Sequence, residues 1–413
     1  MGQRLFTKNF TLLVLGQASS LFGNYILRLA LSMYVLEATG SAAVFAGILS
    51  AAAVPAILLS PLGGILADRA DRRNLMAALD TLTGLAVLCA TVCLSGKNAV
   101  AVIGALLFVL SALGAFETPT VQACIPQMLS GDYVIRGNAV VNQVASVSYL
   151  TAPLLGGILY AVLGLKPVMY ASVVFFWITA IFECFIKLER SAGVFEGTVL
   201  SMVKEDFFSS VRFLREERTG IVKLLFLAAF SRFFVMGTAL VGLPFLVRTV
   251  LGLDAKYYGG AESALAVATI LGSVAAGLLT GKLKAGGLSY VLAAIGACIL
   301  PAGIVFLCPF GAVIRYAVSV LAFCGMQAAI SIFSVFAVSM IQQNTPDELT
   351  GKIMAYTAAV TMCAQPVGQM AYGFLFDIFH GAVYLVLIPS GIMVCVIGLL
   401  ATGFFRKLDF PGR

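Results

Sequence analysis

Apolar residues run almost unbroken along this chain, and its polar positions are gathered into short intervals between the runs. Twelve runs can be marked, at about 10–36, 42–66, 74–95, 99–118, 139–163, 168–187, 221–247, 258–281, 288–308, 312–340, 353–378 and 382–405. Most approach or exceed the roughly 20 residues that carry an α-helix across a bilayer. They are too long and too little alternating for the strands of an outer-membrane barrel. Hydrocarbon tolerates only segments that satisfy their own backbone hydrogen bonds. The pattern therefore predicts an all-α integral membrane protein with twelve transmembrane helices.

The longest polar interval, 188–220, separates six runs from six. It divides the chain into an N-terminal six-helix half (1–187), a linker (188–220) and a C-terminal six-helix half (221–413). In the linker, SMVKEDFFSSVRFLREER puts Val203, Phe207, Val211 and Leu214 on one helical face with charges opposite. Such a helix lies on the membrane surface or packs on neighbouring loops, and the pattern leaves both open. The halves also echo each other: Gly277-Leu-Leu-Thr-Gly281-Lys282-Leu-Lys284 ends the eighth run where Gly64-Ile-Leu-Ala-Asp68-Arg69 ends the second. The second copy keeps the glycine and the base but lacks the acid.

Composition narrows the function. Of 413 residues 61% are hydrophobic and only 11% charged, against about 25% charged in soluble domains. With both termini cytoplasmic, nineteen of the 26 Lys and Arg fall on the inner side. Five (Lys97, Lys166, Arg248, Lys256 and Arg315) fall on the outer side and two arginines lie deep inside runs. That bias fixes the orientation. The net charge of +7 reflects this topology, and no basic patch interleaved with aromatics points to nucleic acid. MGQRLFTKNF leads straight into the first run, so no cleavable leader is expected. The nine cysteines lie mostly inside runs with no CxxC pair, and His380 is the only histidine. Neither a metal site nor a histidine-based catalytic cluster is expected. There is no GxxxxGK[ST] for direct ATP use, so no cofactor is expected and the chain does not read as an enzyme.

Charge is concentrated at 61–73, PLGGILADRADRR. Its glycines suit close approach of two helix ends, Asp68 suits a helix cap, and the arginines stay in water. A plain positive-inside loop would look similar. The spacing Gly64-x-x-x-Asp68-Arg69-x-x-Arg72-Arg73 resembles the loop between helices 2 and 3 that marks the major facilitator superfamily of secondary transporters. ALSMYVLEATGSAAVFAGILSAAAVPAILLSPLGGILADRADRRNLMAALD (30–80), FETPTVQACIPQML (116–129), RGNAVVNQVASVSYLTAPLLGGIL (136–159) and MIQQNTPDELTGKIMA (340–355) are similar to its macrolide-efflux-like exporter branch. The resemblance covers nearly the whole chain. It implies two pseudo-symmetric six-helix halves with a substrate site near the bilayer midplane, and export of a small organic molecule by alternating access. It further implies a monomer in the plasma membrane, surrounded by membrane lipids and coupled to inward proton flow.

Ala152-Pro153-Leu154-Leu155-Gly156-Gly157 resembles the GPxxGG stretch associated with antiport, with alanine for the first glycine. Pro153 removes a helix hydrogen bond and the glycine pair permits close packing, so span 5 can bend or seal against span 8. A simple proline kink is the alternative. Many proton-driven exporters of the family carry an arginine in the middle of span 4, and this span has none. The proton-coupling candidates are Asp80, in the second turn of span 3, and Glu117, at the inner end of span 4. Asp80 also suits a structural partnership with the arginines of the 2–3 loop, the reading its spacing favours.

Two arginines lie within spans. Arg232 is about 16 Å deep in span 7 and Arg28 about 12 Å below the outer boundary of span 1, at ~1.5 Å per residue. An arginine at such depth costs a few kcal/mol and faces a water-filled cavity or a partner. Spans 1 and 7 line the central cavity in the family fold, which makes both candidate substrate contacts. A fixed pair with Glu262 or Asp377, or outward snorkelling of Arg28, is the alternative. Asn24 in span 1 and Gln327 in span 10 are the other candidate cavity residues. Gln17, Asn142, Gln143 and Gln365 fit interhelical hydrogen bonding. The rival functions are a lipid or lysolipid flippase on the same fold and, with one histidine and scattered acids against it, an integral-membrane enzyme.

Overall fold

A computed structural model describes residues 5–188, 219–280, 282–283, 285–343, 345 and 347–407. The expected amphipathic helix of the linker lies outside the described residues. The N-terminal half contributes α1 (Lys8–Thr39), α2 (Ala42–Arg69), α3 (Arg72–Cys93), α4 (Ala99–Met128), α5 (Asp132–Leu163) and α6 (Leu165–Cys184). The C-terminal half contributes α7 (Thr219–Val235), α8 (Ala255–Leu279), α9 (Leu288–Ile304), α10 (Ala312–Gln343), α11 (Asp347–Ile378) and α12 (Tyr384–Leu400), followed by the short α13 (Thr402–Lys407). The protein is thus an all-α integral membrane protein of two six-helix halves. Among the described residues ten helical segments are long and apolar enough to cross a membrane, and α9 is a shorter apolar one.

Local chemistry sets the helix ends. Thr7 caps α1 by accepting the N–H of Phe10, and Gly40 closes it in the left-handed region at φ 63° with its N–H on Leu36 O. Asp71 caps α3 through the N–H of Asn74. α4 runs ten residues beyond the expected end at 118 because Pro119 and Pro126 are accommodated inside it. Pro119 has no N–H for the carbonyl of Ala115, and Gly63 of α2 packs against that same carbonyl.

By packing, the chain forms two units: Met1–Gly40, Ile48–Phe195 and Asp254–Ser263 in one, and Ser41–Gly47, Glu196–Leu253 and Ala264–Arg413 in the other. The first unit therefore includes the opening turns of α8, and the second the opening turns of α2. Small residues and hydroxyls hold the helices together, as expected where lipid supplies no hydrophobic drive. In the first unit Ser19 donates to Phe175 O, Ser172 to Gly23 O and Thr179 to Gly16 O, joining α1 to α6. In the second unit Cys395 of α12 donates to Ala293 O of α9, and a Cβ on Gly296 would lie 2.5 Å from the backbone N of Cys395.

Past Val235, α7 widens into π-helical turns, Met236–Gly242 and Leu246–Val250, around a short α segment containing Pro244. Proline offers no N–H to the preceding turn, and a π-turn absorbs the mismatch. Tyr372 and Phe376 of α11 sit against Gly237 and Gly242, where any side chain would collide with their rings. Gly368 returns the contact by packing on the backbone of Phe233.

Candidate functional site

The 2–3 loop is organised by Asp71 and Arg72. Arg72 Nε donates to Ala67 O at 2.8 Å and Nη1 to Ala123 O at 3.0 Å, tying the start of α3 to the ends of α2 and α4. Arg73 donates to Asn74 Oδ1. Asp71 caps α3, and the cap expected of Asp68 falls on a side chain that, like that of Arg69, lies outside the described residues. The close approach expected around Gly64 occurs at Gly63, while Gly64 faces open space. One residue of register, about 100° around a helix, decides which glycine meets α4.

In span 5 the glycine pair serves two neighbours. A Cβ on Gly156 would lie 3.1 Å from Ile26 Cα of α1. One on Gly157 would lie 2.7 Å from the carbonyl of Ala255 at the start of α8, and Gly259 of α8 packs on the carbonyl of Pro153. Span 5 and the start of α8 thus meet at backbone contact.

Asp80 and Glu117 are brought together. Ser20 of α1 is 2.9 Å from Asp80 Oδ1 and 3.2 Å from Glu117 Oε1. A third acid, Glu183 at the end of α6, brings its carboxyl against Asp80. Asp80 and Glu183 are each 1% exposed. Asp80 Oδ2 and both Glu183 oxygens have no hydrogen-bond donor, nor has Gln17 Nε2 an acceptor. The arginine partnership favoured for Asp80 is not what forms: its hydrogen bond goes to a serine and its charged neighbours are carboxyls. Asn24 and Arg28, one turn apart on α1, join through Arg28 Nε and Asn24 Oδ1 at 2.6 Å. Arg28 also acts electrostatically on Glu117.

Arg232 and Gln327 line a single cavity of about 420 Å³ within the second unit, walled by α7, α8, α10 and α11. Thr269, Ser273, Ser331, Ser334, Thr357 and Thr361 contribute hydroxyls to its lining, against apolar groups such as Phe333, Val338 and Met354. Arg232 Nη2 donates to Gln365 Oε1 at 3.1 Å. Ser273 and Ser331 are 2.8 Å apart, and both also reach Thr269 O. Of the acids offered as fixed partners for an intramembrane arginine, Asp377 instead caps α2: it accepts from Ser41 Oγ, from the N–H of Ala42 at 2.6 Å and from that of Ala43 at 3.1 Å. Glu262 is hydrogen-bonded with Tyr258.

This helical plan and these motifs have counterparts among known proteins. The family model of the Major Facilitator Superfamily matches residues 13–369. The chain belongs to that superfamily. It is similar to Macrolide efflux protein A of Streptococcus pyogenes, 24% identical over 402 residues that cover 95% of this chain and 96% of the relative. It is also similar to the Multidrug efflux pump Tap of Mycolicibacterium fortuitum, 26% identical over 200 residues, about half of each chain. A solved structure of a POT peptide transporter in complex with alafosfalin superposes with a TM-score of 0.76 at 14% identity, covering all of this chain and 97% of that one. At that identity the likeness speaks for the fold alone.

As a member of this superfamily the protein is a multi-pass membrane transporter. Several residues at the sites described escape a reading of the sequence alone. Glu183 sits in FECFIKLE, where neighbouring charges make it look like a loop residue, yet it is as buried as Asp80. Ser20, Thr269, Ser273 and Ser331 carry no signal in a chain rich in small polar residues. Only Glu183 had one: it is an acid within helical reach of an apolar run.

Proposed function

We propose that the protein exports a small, acceptor-rich or anionic organic molecule from the cytoplasm across the plasma membrane by alternating access, driven by inward proton movement. The observation that carries this reading is the cavity of about 420 Å³ holding Arg232 and Gln327 among hydroxyls and apolar side chains. Its size falls within the range of small-molecule sites, about 300–1,000 Å³. A guanidinium offers planar donors to carboxylate, phosphate or carbonyl oxygens and repels a fixed cation. The relatives named for macrolide and multidrug efflux favour export as the direction.

Proton coupling is assigned to Asp80, Glu117 and Glu183. Ionised carboxylates only accept hydrogen bonds. Buried oxygens that meet other carboxyls and lack donors suit a group that takes up and gives away a proton. Pro153, Gly156 and Gly157 supply the tight contacts of span 5, and Gly64, Asp68, Arg69, Arg72 and Arg73 the loop whose contacts bias one conformation over the other. Asn24 and Arg28 present a second polar pair in the first unit.

The test is transport of a labelled ligand into inverted membrane vesicles, the ligand chosen by a thermal-shift screen of purified protein against drugs, siderophores and lipids. A protonophore should collapse uptake. Asp80→Asn, Glu117→Gln and Glu183→Gln should each remove gradient-driven uptake while sparing exchange. Protonophore-insensitive uptake with all three variants active would reject proton coupling at these acids. A lipid or lysolipid as the ligand in that screen would replace the cargo class proposed.

A further inference from the structure

The second unit holds another hollow, larger than the Arg232 cavity and of opposite character. It encloses about 750 Å³ between α7, α11, α12 and α13. Its walls are apolar, with Phe226, Phe230 and Phe233 on α7, Val367 on α11, Leu400 on α12 and Phe404 on α13. Phe226 is 68% and Leu400 76% exposed, so the hollow is open at the surface of the unit. Among the described residues Lys223 is the only charged one lining it. This lysine is exposed, and its Nζ lies 5.6 Å from the centroid of the Phe404 ring.

Dimensions and charge together specify an occupant. Lys223 to Phe233 is ten residues, about 15 Å of helix. That equals one leaflet of a hydrocarbon core about 30 Å thick. A groove that starts at a basic side chain near the end of a span and continues as an apolar slot of one-leaflet depth matches an acyl chain beneath an anionic headgroup. Basic pockets between transmembrane helices bind acidic lipid headgroups in this way.

We propose that this groove is a specific site for one anionic phospholipid, its acyl chain lying along α7 between Phe226 and Phe233 and its phosphate paired with Lys223. The lipid belongs to the leaflet at the N-terminal end of α7. α7 and α11 turn other faces to the Arg232 cavity, through Ala228 and Arg232 on α7 and Thr357 and Thr361 on α11. An occupied groove thus supports from behind two walls of that cavity. Export is not required for this inference, which stands or falls on lipid binding.

Native mass spectrometry of the full chain tests it, with the protein released from micelles doped with phosphatidylglycerol or with phosphatidylcholine of identical acyl chains. One phosphatidylglycerol should be retained per chain, about five-fold in preference to phosphatidylcholine, the factor that one basic residue supplies beside an anionic headgroup. Lys223→Gln should erase the preference while leaving retention of phosphatidylcholine unchanged. Ala364→Leu, which narrows the groove wall, should lower retention of both lipids. Equal retention of the two lipids by the unaltered protein overturns the proposal. So does a preference that survives Lys223→Gln, or retention of a second protein copy in place of lipid. Should Ala364→Leu fail to fold, Lys223→Gln decides alone, because an exposed side chain near a helix end is replaced there without touching the packing.

Discussion

Arg232→Gln removes the cation from the cavity but keeps a side chain that can still hydrogen-bond to Gln365. In the native protein that contact is charged to neutral, Nη2 to Oε1 at 3.1 Å, so losing it leaves no carboxylate stranded at Gln365. The loss of interest is the one read in ligand affinity. A hydrogen bond to a charged group contributes about 1.5–3 kcal/mol. At ~1.4 kcal/mol per decade, that is a weakening of Kd of about 10- to 140-fold for a cargo that accepts from the guanidinium. Arg232→Lys should recover part of this, since the charge returns without the planar fork. The assay is equilibrium binding by purified protein of matched ligands: a carboxylate, a neutral polyoxygenated analogue and an amine. Affinity should fall most for the carboxylate and least, or even rise, for the amine. Unchanged binding and transport in Arg232→Gln would refute the cargo class.

Asp68→Asn should impair transport while sparing expression and ligand binding, because the change biases an equilibrium that a few kcal/mol controls; unchanged transport rates would reduce the loop to a topology signal. Asp71→Ala should instead cost about 1 kcal/mol of stability as a lost cap, read as a lower thermal midpoint. Asp377→Asn should destabilise the start of α2 by about 1–3 kcal/mol, since charge-assisted bonds to two backbone N–H groups and a helix N-terminus are weakened together; thermal unfolding with and without 0.5–1 M salt, on the order of the range where exposed charges are screened, checks it, and an unchanged midpoint would show the cap to be dispensable. Cysteine tags at Asn98 and Gly381 should label from outside intact cells and a tag at Glu196 only after permeabilisation; outside labelling at Glu196 would overturn the orientation.

Most of the spans were legible because each is a one-dimensional fact: enough apolar residues in sequence to cross a bilayer, as ten of the described helical segments have. Motif residues were legible where they lie near each other along the chain, as Pro153, Gly156 and Gly157 do. What the sequence could not convey is which face of a helix meets which neighbour. Gly63 and Gly64 are indistinguishable as letters, yet only Gly63 meets the Ala115 carbonyl that Pro119 leaves without a helical donor. Asp68 and Asp71 both stand before a helix, yet the N–H of Asn74 is capped by Asp71. Glu183 joins Asp80 from 103 positions away, a contact that only the packing of α6 beside α3 creates. Asp80 looked like a partner for arginines seven and eight residues before it; the helix turns it instead toward Ser20 of α1.

Packing of α11 on α7 positions Arg232 against its amide neighbour. Gly368 of α11 lies against the backbone of Phe233, the residue next to Arg232, with no space there for a side chain. Tyr372, one turn further on, fills the place left open by Gly237 and donates its hydroxyl to Ser390 of α12. Those contacts fix the two helices backbone to backbone at the level of Arg232. Gln365, three residues before Gly368 and so on the same side of α11, then meets the guanidinium with a neutral oxygen. A carboxylate at that position would pair the guanidinium charge. The amide orients it through a neutral oxygen. The π-turns begin just beyond, at Met236, so Tyr372 packs on the first of them at Gly237 while the segment carrying Arg232 keeps regular helical geometry.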